Sequence, residues 1–142
     1  YASLVFKKDL VALDSLSALE KSWIAPLPIE FDINLPGYKG MMSMQGGHAG
    51  EKMPKAQAIK DATMAYFINK NRKENSIFVH YNGTYHSDNY EGINWYLRKL
   101  DADIQIVTIA MVEQKDITKL EAEHYNKADF ILVIDEDVTK TY

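Results

Sequence analysis

Gln57-Ala-Ile-Lys-Asp61-Ala-Thr-Met64-Ala65, followed by Ser76-Ile-Phe-Val-His80-Tyr81, Asn82-Gly83-Thr-Tyr85-His86 and Tyr90-Glu-Gly92-Ile93, is the stretch that decides the fold. It reads as a helix, an apolar strand, a polar loop carrying a histidine, and a second helix start. Residues 54–71 are the clearest helix. Pro54 suits a first turn, and Ala56, Ala58, Ala62 and Ala65 are strong helix formers. Ala58, Ala62 and Ala65 form one smooth face that permits close packing, while Gln57, Asp61, Met64 and Ile68 align on another. Ser76–Tyr81 has the composition of a buried strand. Ligand sites of α/β proteins gather at the carboxyl ends of parallel strands, where the loop with His86 would lie.

Downstream, the spacing predicts a helix over Glu91–Leu100, a strand over Asp103–Val112, a helix over Ile117–Asn126 and a strand over Phe130–Ile134. Near-continuous apolar runs of this kind suit a parallel sheet. The alternation predicts an α/β fold, a parallel sheet flanked by helices, with three visible strands and a small helical and loop subdomain. Three strands are few, so an N-terminal part or a partner chain is expected to complete the sheet. Residues 1–50 are the subdomain region, and 51–142 the α/β region of the same domain. Upstream, Asp14-Ser-Leu-Ser17 reads as a helix start, with Leu16, Leu19 and Trp23 at helical spacing; Ser15 completes no capping box. Pro26 and Pro28 end that helix. Residues 25–50 are irregular, with Met41, Met42 and Met44 as either an apolar ligand lining or gap-filling core.

The bulk numbers set limits. The chain has 142 residues, about one domain. Its net charge of −4 argues against nucleic-acid binding, which needs a basic face. There are no cysteines, so disulfides, thiolate metal sites and a cysteine nucleophile are excluded. Any metal or haem iron would need histidine, tyrosine, methionine or carboxylate ligands. No stretch approaches the ~20 apolar residues of a membrane span.

The candidate site residues follow from chemistry. His86 is a candidate ligand, proton carrier or metal ligand, weighed against an ordinary polar loop histidine. Gly83 would let the backbone turn beside a ligand, and Asn82 precedes it. Asp61 sits in mid-helix, where it could accept from His86, cap a loop or face solvent beside Lys60. Gln57 and Met64 share its face. Tyr81, Tyr85 and Tyr90 surround the histidine loop, and tyrosine can ligate ferric haem. His48, in Gly46-Gly47-His48-Ala-Gly50, is either a swinging lid ligand or an exposed loop residue. His80 reads as a core or strand-end histidine, and His124 as part of a solvated acidic helix. No complete metalloprotease, phosphate-loop, dinucleotide or serine-hydrolase motif is present.

Gln57-Ala-x-x-Asp61-Ala-x-Met64-Ala65, the later Asn82-Gly83-x-x-His86 and Gly92-Ile93, with Ala25-Pro-Leu-Pro28 and Ala128-Asp129-Phe130, resemble the ChaN-like family of haem-binding uptake lipoproteins. That family sits in a superfamily with erythromycin esterase-like and TIKI-like proteins. The resemblance implies an α/β fold, haem or iron as ligand, and a bacterial cell-envelope location through an N-terminal lipid anchor outside this chain. It also implies a homodimer holding haem with a tyrosine as iron ligand. The hydrolase-like branch uses an early Gly-Glu-x-His and a later Gly-x-x-His. Only the later one stands here, as Gly83–His86, so the chain reads as the C-terminal half of such a protein. A metal-assisted hydrolase and a purely structural half-domain are the alternatives.

Overall fold

The computed structural model describes residues 1–43 and 50–139. Its centre is the 20-residue helix Lys52–Asn71. In chain order the helices are α1 (Ala2–Lys8), α2 (Ala18–Lys21), α3 (Pro36–Ser43), α4 (Lys52–Asn71) and α5 (Ile93–Leu100). They are followed by β1 (Ile109–Gln114) and β2 (Phe130–Asp135), with short 3-10 turns between. The alanines of α4 give it helix propensity and, through their small size, access for neighbours on several sides. Three apolar clusters are strung along it. Ala56 and Ile59 pack with Val5, Leu13 and Ile24. Ala58 packs with Tyr38 and Met41. Ala62, Ala65 and Ile68 pack with Ala25, Ile93, Tyr96 and Leu97. Each cluster brings a different stretch of chain to the same helix.

β1 and β2 pair in parallel, in register from Ile109 with Phe130 to Gln114 with Asp135. Ala110, Val112 and Gln114 are buried on one face, while Ile109 and Met111 are exposed on the other with Phe130 and Leu132. The α/β class with a parallel sheet and flanking helices is therefore present. No helix among the described residues is long and apolar enough to cross a membrane.

Several local expectations need correction. Ser76–Tyr81 belongs to no strand: Ile77 and Tyr81 are each 91% exposed, and the described sheet has two strands, not three. An apolar run becomes a strand only if a neighbour takes up its N–H and C=O groups, and no described strand lies beside this one. The strand expected at 103–112 begins at Ile109, because β2 opposes it only from there. The helix expected over 117–126 is reduced to the 3-10 turn Ala122–His124. The helix expected from Asp14 is a 3-10 turn, Leu10–Ser15, then α2. A capping box does start α2, formed by Ser17 and Glu20 rather than Ser15. The irregular 25–50 region contains α3. Met41 is core, Met42 is half-buried, and Met44 lies outside the described residues.

The Ala65 side chain has no solvent exposure and lies in the cluster with Ile93, Tyr96 and Leu97. Ala65→Leu should therefore overpack the α4–α5 contact and cost about 1–3 kcal/mol. Urea denaturation checks this; an unchanged midpoint would mean that α5 yields freely.

Candidate functional site

One turn of α4 separates Gln57 from Asp61, so both side chains project to the same side. Asp61 has no solvent exposure. Three parts of the chain converge on it. Tyr38, from α3, donates its hydroxyl to Asp61 Oδ2 at 2.8 Å. His86, from the 3-10 turn Thr84–His86, places Nδ1 2.5 Å from Asp61 Oδ1. Gly92, at the start of α5, approaches so closely that a Cβ there would stand 2.4 Å from the His86 carbonyl oxygen and 3.3 Å from Asp61 Oδ2.

Once Asp61 is ionised it can only accept, so Nδ1 of His86 then carries the ring proton and Nε2 presents its lone pair. The Gln57 amide lies along the ring, with its nitrogen 2.7 Å from Nδ1 and 3.2 Å from Nε2. Lys60 donates to Gln57 Oε1 at 3.4 Å, which keeps the amide N–H turned toward the imidazole. The His86 side chain is 20% exposed, so the ring is held in place yet not sealed from solvent.

Burial pushes the Asp61 carboxyl above its usual range, against the opposing hydrogen bonds from His86 and Tyr38. Burial, and then the Asp61 charge, drives the Tyr38 phenol far above the ordinary range, so it stays a donor. Tyr96 is raised in the same direction by burial and donates to the Glu30 carbonyl at 2.6 Å. The loop is braced from both ends. Asn82 donates to Ser87 Oγ at 2.8 Å, and Asn94 of α5 donates to the Ser87 carbonyl at 3.0 Å. Glu91 accepts from the Gly37 N–H at 2.6 Å, tying the start of α3 to the same loop.

Of the residues singled out in the sequence, Gln57, Asp61 and His86 are brought together. Asn82 braces the loop without touching the imidazole. Gly83 has open space where a Cβ would be, so its turn does not demand glycine. Gly92 does: its φ is +54° and the space is closed. Met64 turns away and packs against the cluster with Ala62 and Ala65. Tyr81 and Tyr85 are exposed, and Tyr90 donates to Asp129 at 3.1 Å. His48 lies outside the described residues. Two histidine readings change: His80 is exposed rather than core, and His124 is buried rather than solvated. Sequence reasoning missed Tyr38, which no spacing links to Asp61; only its position just after Pro36 hinted at an ordered turn there.

An apolar groove of about 260 Å³ opens nearby, lined by Ala25, Pro28, Ile29, Tyr66 and Tyr96 with Lys99 at its edge; His86 is not among its walls. A second concavity, of about 340 Å³, lies against residues 116–125, also away from His86.

A family model described as haem-binding uptake, Tiki superfamily, ChaN matches residues 1–97. The chain belongs to this family. No curated protein and no solved structure matches the chain. The ChaN match contains Tyr38, Gln57, Asp61, His86 and Gly92, while β1, β2 and the Ala128-Asp129-Phe130 stretch lie beyond it.

Two outcomes follow for this part of the ChaN-family chain. Gly92→Ala forces an L side chain to positive φ against the His86 carbonyl and should cost roughly 1–3 kcal/mol; retention of full stability in urea would refute the close approach. Just above its unperturbed value of 3.8, where the unfolded chain has released the proton, the folded state still holds it; at higher pH native Asp61 ionises. Its contribution to stability is thus fully present below that value and is lost as pH rises through the raised native value. Asp61→Asn should flatten this fall, which denaturation curves recorded at increasing pH above 3.8 measure.

Proposed function

We propose that the protein binds haem for uptake at the bacterial cell envelope, with His86 facing the ligand and Asp61, Gln57 and Tyr38 holding it in place. The observation carrying this reading is the imidazole fixed on a fully buried carboxylate inside the part of the chain that matches a haem-binding uptake family. A carboxylate on one ring nitrogen orients the other toward a ligand. Tyr85, next to His86 and exposed, is our candidate for the tyrosine iron ligand, ahead of Tyr90, whose hydroxyl is engaged by Asp129.

The site fits haem only in part. The groove of about 260 Å³ does not include His86 among its walls, and it falls below the roughly 300–1,000 Å³ of pockets that enclose a small ligand. Haem held here would need a second wall, which favours a homodimer. The exposed apolar faces of β1 and β2 and the unpaired Ser76–Tyr81 segment offer surface to such a partner. We treat residues 1–50 and 51–142 as regions of one domain, in keeping with the packing of α1 and α3 on α4. The envelope location and an N-terminal lipid anchor rest on the family alone.

Haem titration followed by visible absorption tests this reading. A shifted Soret band is expected, weakened by His86→Ala and changed in its ligand bands by Tyr85→Phe, with dimer formation seen by size exclusion. An unshifted Soret band would reject it. The same His–Asp pair favours a second reading, a metal-assisted hydrolase with His86 as ligand or general base. Bound metal on elemental analysis, together with ester or peptide hydrolysis lost in His86→Ala, would favour that reading instead.

A further inference from the structure

Beyond residue 97, a second histidine has surroundings that the His86 site does not explain. His124 ends the 3-10 turn Ala122–His124, and its side chain is 9% exposed. Its Nε2 is buried and has no hydrogen-bond partner among the described residues. Glu123 Oε1 stands 3.6 Å from it, beyond hydrogen-bond reach. One ligand atom each from Glu121, Glu123 and His124 lies within 4.8 Å of the other two. We propose that Glu121, Glu123 and His124 form a binding site for a divalent transition-metal cation of the zinc type.

The donor set suits such an ion: one imidazole and two carboxylates, with positions left for water. The unpaired nitrogen distinguishes this group from an ordinary acidic surface, since buried polar atoms are rarely left without a partner. The turn is also anchored. Gln114, buried at the end of β1, accepts from the Glu121 N–H at 3.2 Å and donates to the Lys119 carbonyl at 2.8 Å. On the other side, the Asn89 N–H donates to the Lys127 carbonyl at 2.9 Å. Both carboxylates are exposed, so they can swing onto an ion while the imidazole stays fixed.

Lys127 is the competing charge. Its Nζ lies 3.1 Å from His124 Nδ1. An ammonium only donates, so Nδ1 accepts and Nε2 carries the proton. Metal binding moves that proton: Nε2 gives it up to bind the ion, Nδ1 gains one, and the ring stays neutral. Lys127 must then turn away from the ring.

Zn²⁺ titration of the intact chain by calorimetry tests the site. One equivalent is expected to persist in His86→Ala, which separates this site from the haem reading. Glu121→Gln/Glu123→Gln, both exposed, should weaken that equivalent by at least the roughly 10–100-fold that even outer partners of a metal ligand contribute. His124→Gln should do the same, with circular dichroism confirming its fold. Lys127→Met should tighten binding by removing the competing cation. Undiminished Zn²⁺ affinity in the double glutamine variant, or no Zn²⁺ bound by the parent, would overturn the proposal.

Discussion

A carboxylate with no solvent contact is the constraint on which the rest of this molecule turns. Asp61 sits in the middle of α4, where helix propensity gives it no reason to be. Removing a charge from water costs several kcal/mol unless close partners compensate. Here the partners come from distant parts of the chain: Tyr38 from α3 on one oxygen and His86 from the loop on the other. Satisfying Asp61 therefore fixes where α3 lies and how the 82–92 loop crosses α4. Gly92 is glycine for the same reason, since nothing larger lets α5 begin so close to the His86 carbonyl and Asp61. The alanines complete the arrangement by keeping α4 slim enough for these segments to reach it.

How far this was legible depended on whether the signal was local. Helix α4 was plain from its alanines, and the pairing of Asp61 with His86 was one of three roles the sequence left open. Tyr38 was invisible, because a contact across 23 residues between a loop-like segment and a helix leaves no period to read. Gly83 and Gly92 looked equivalent in sequence, yet only the second has positive φ and a filled neighbourhood. The strand at 76–81 failed for a different reason. Apolar composition says what a segment would bury, not whether a partner is there to pair with it. Strand β1 shows the same effect at smaller scale: Ile104–Thr108 continues the apolar pattern, but pairing starts only where β2 arrives.

The two interesting histidines show how one side chain acquires opposite chemistry from its neighbours. At His86 an ionised, acceptor-only carboxylate claims Nδ1–H, so Nε2 holds a lone pair that faces the Gln57 amide nitrogen at 3.2 Å. At His124 a donor-only ammonium claims the Nδ1 lone pair, so Nε2 keeps a proton that nothing among the described residues accepts. With Asp61 ionised, the first ring is already in the tautomer that a ligand or a proton requires. The second must exchange tautomers and lose its lysine before it can bind anything. Sequence spacing cannot separate these cases, because each histidine has an acidic residue within two positions of it in the chain. What separates them is the sign of the group facing Nδ1, and only the folded chain supplies that: Asp61 reaches His86 from 25 residues away, whereas Lys127 reaches His124 from three residues along the chain.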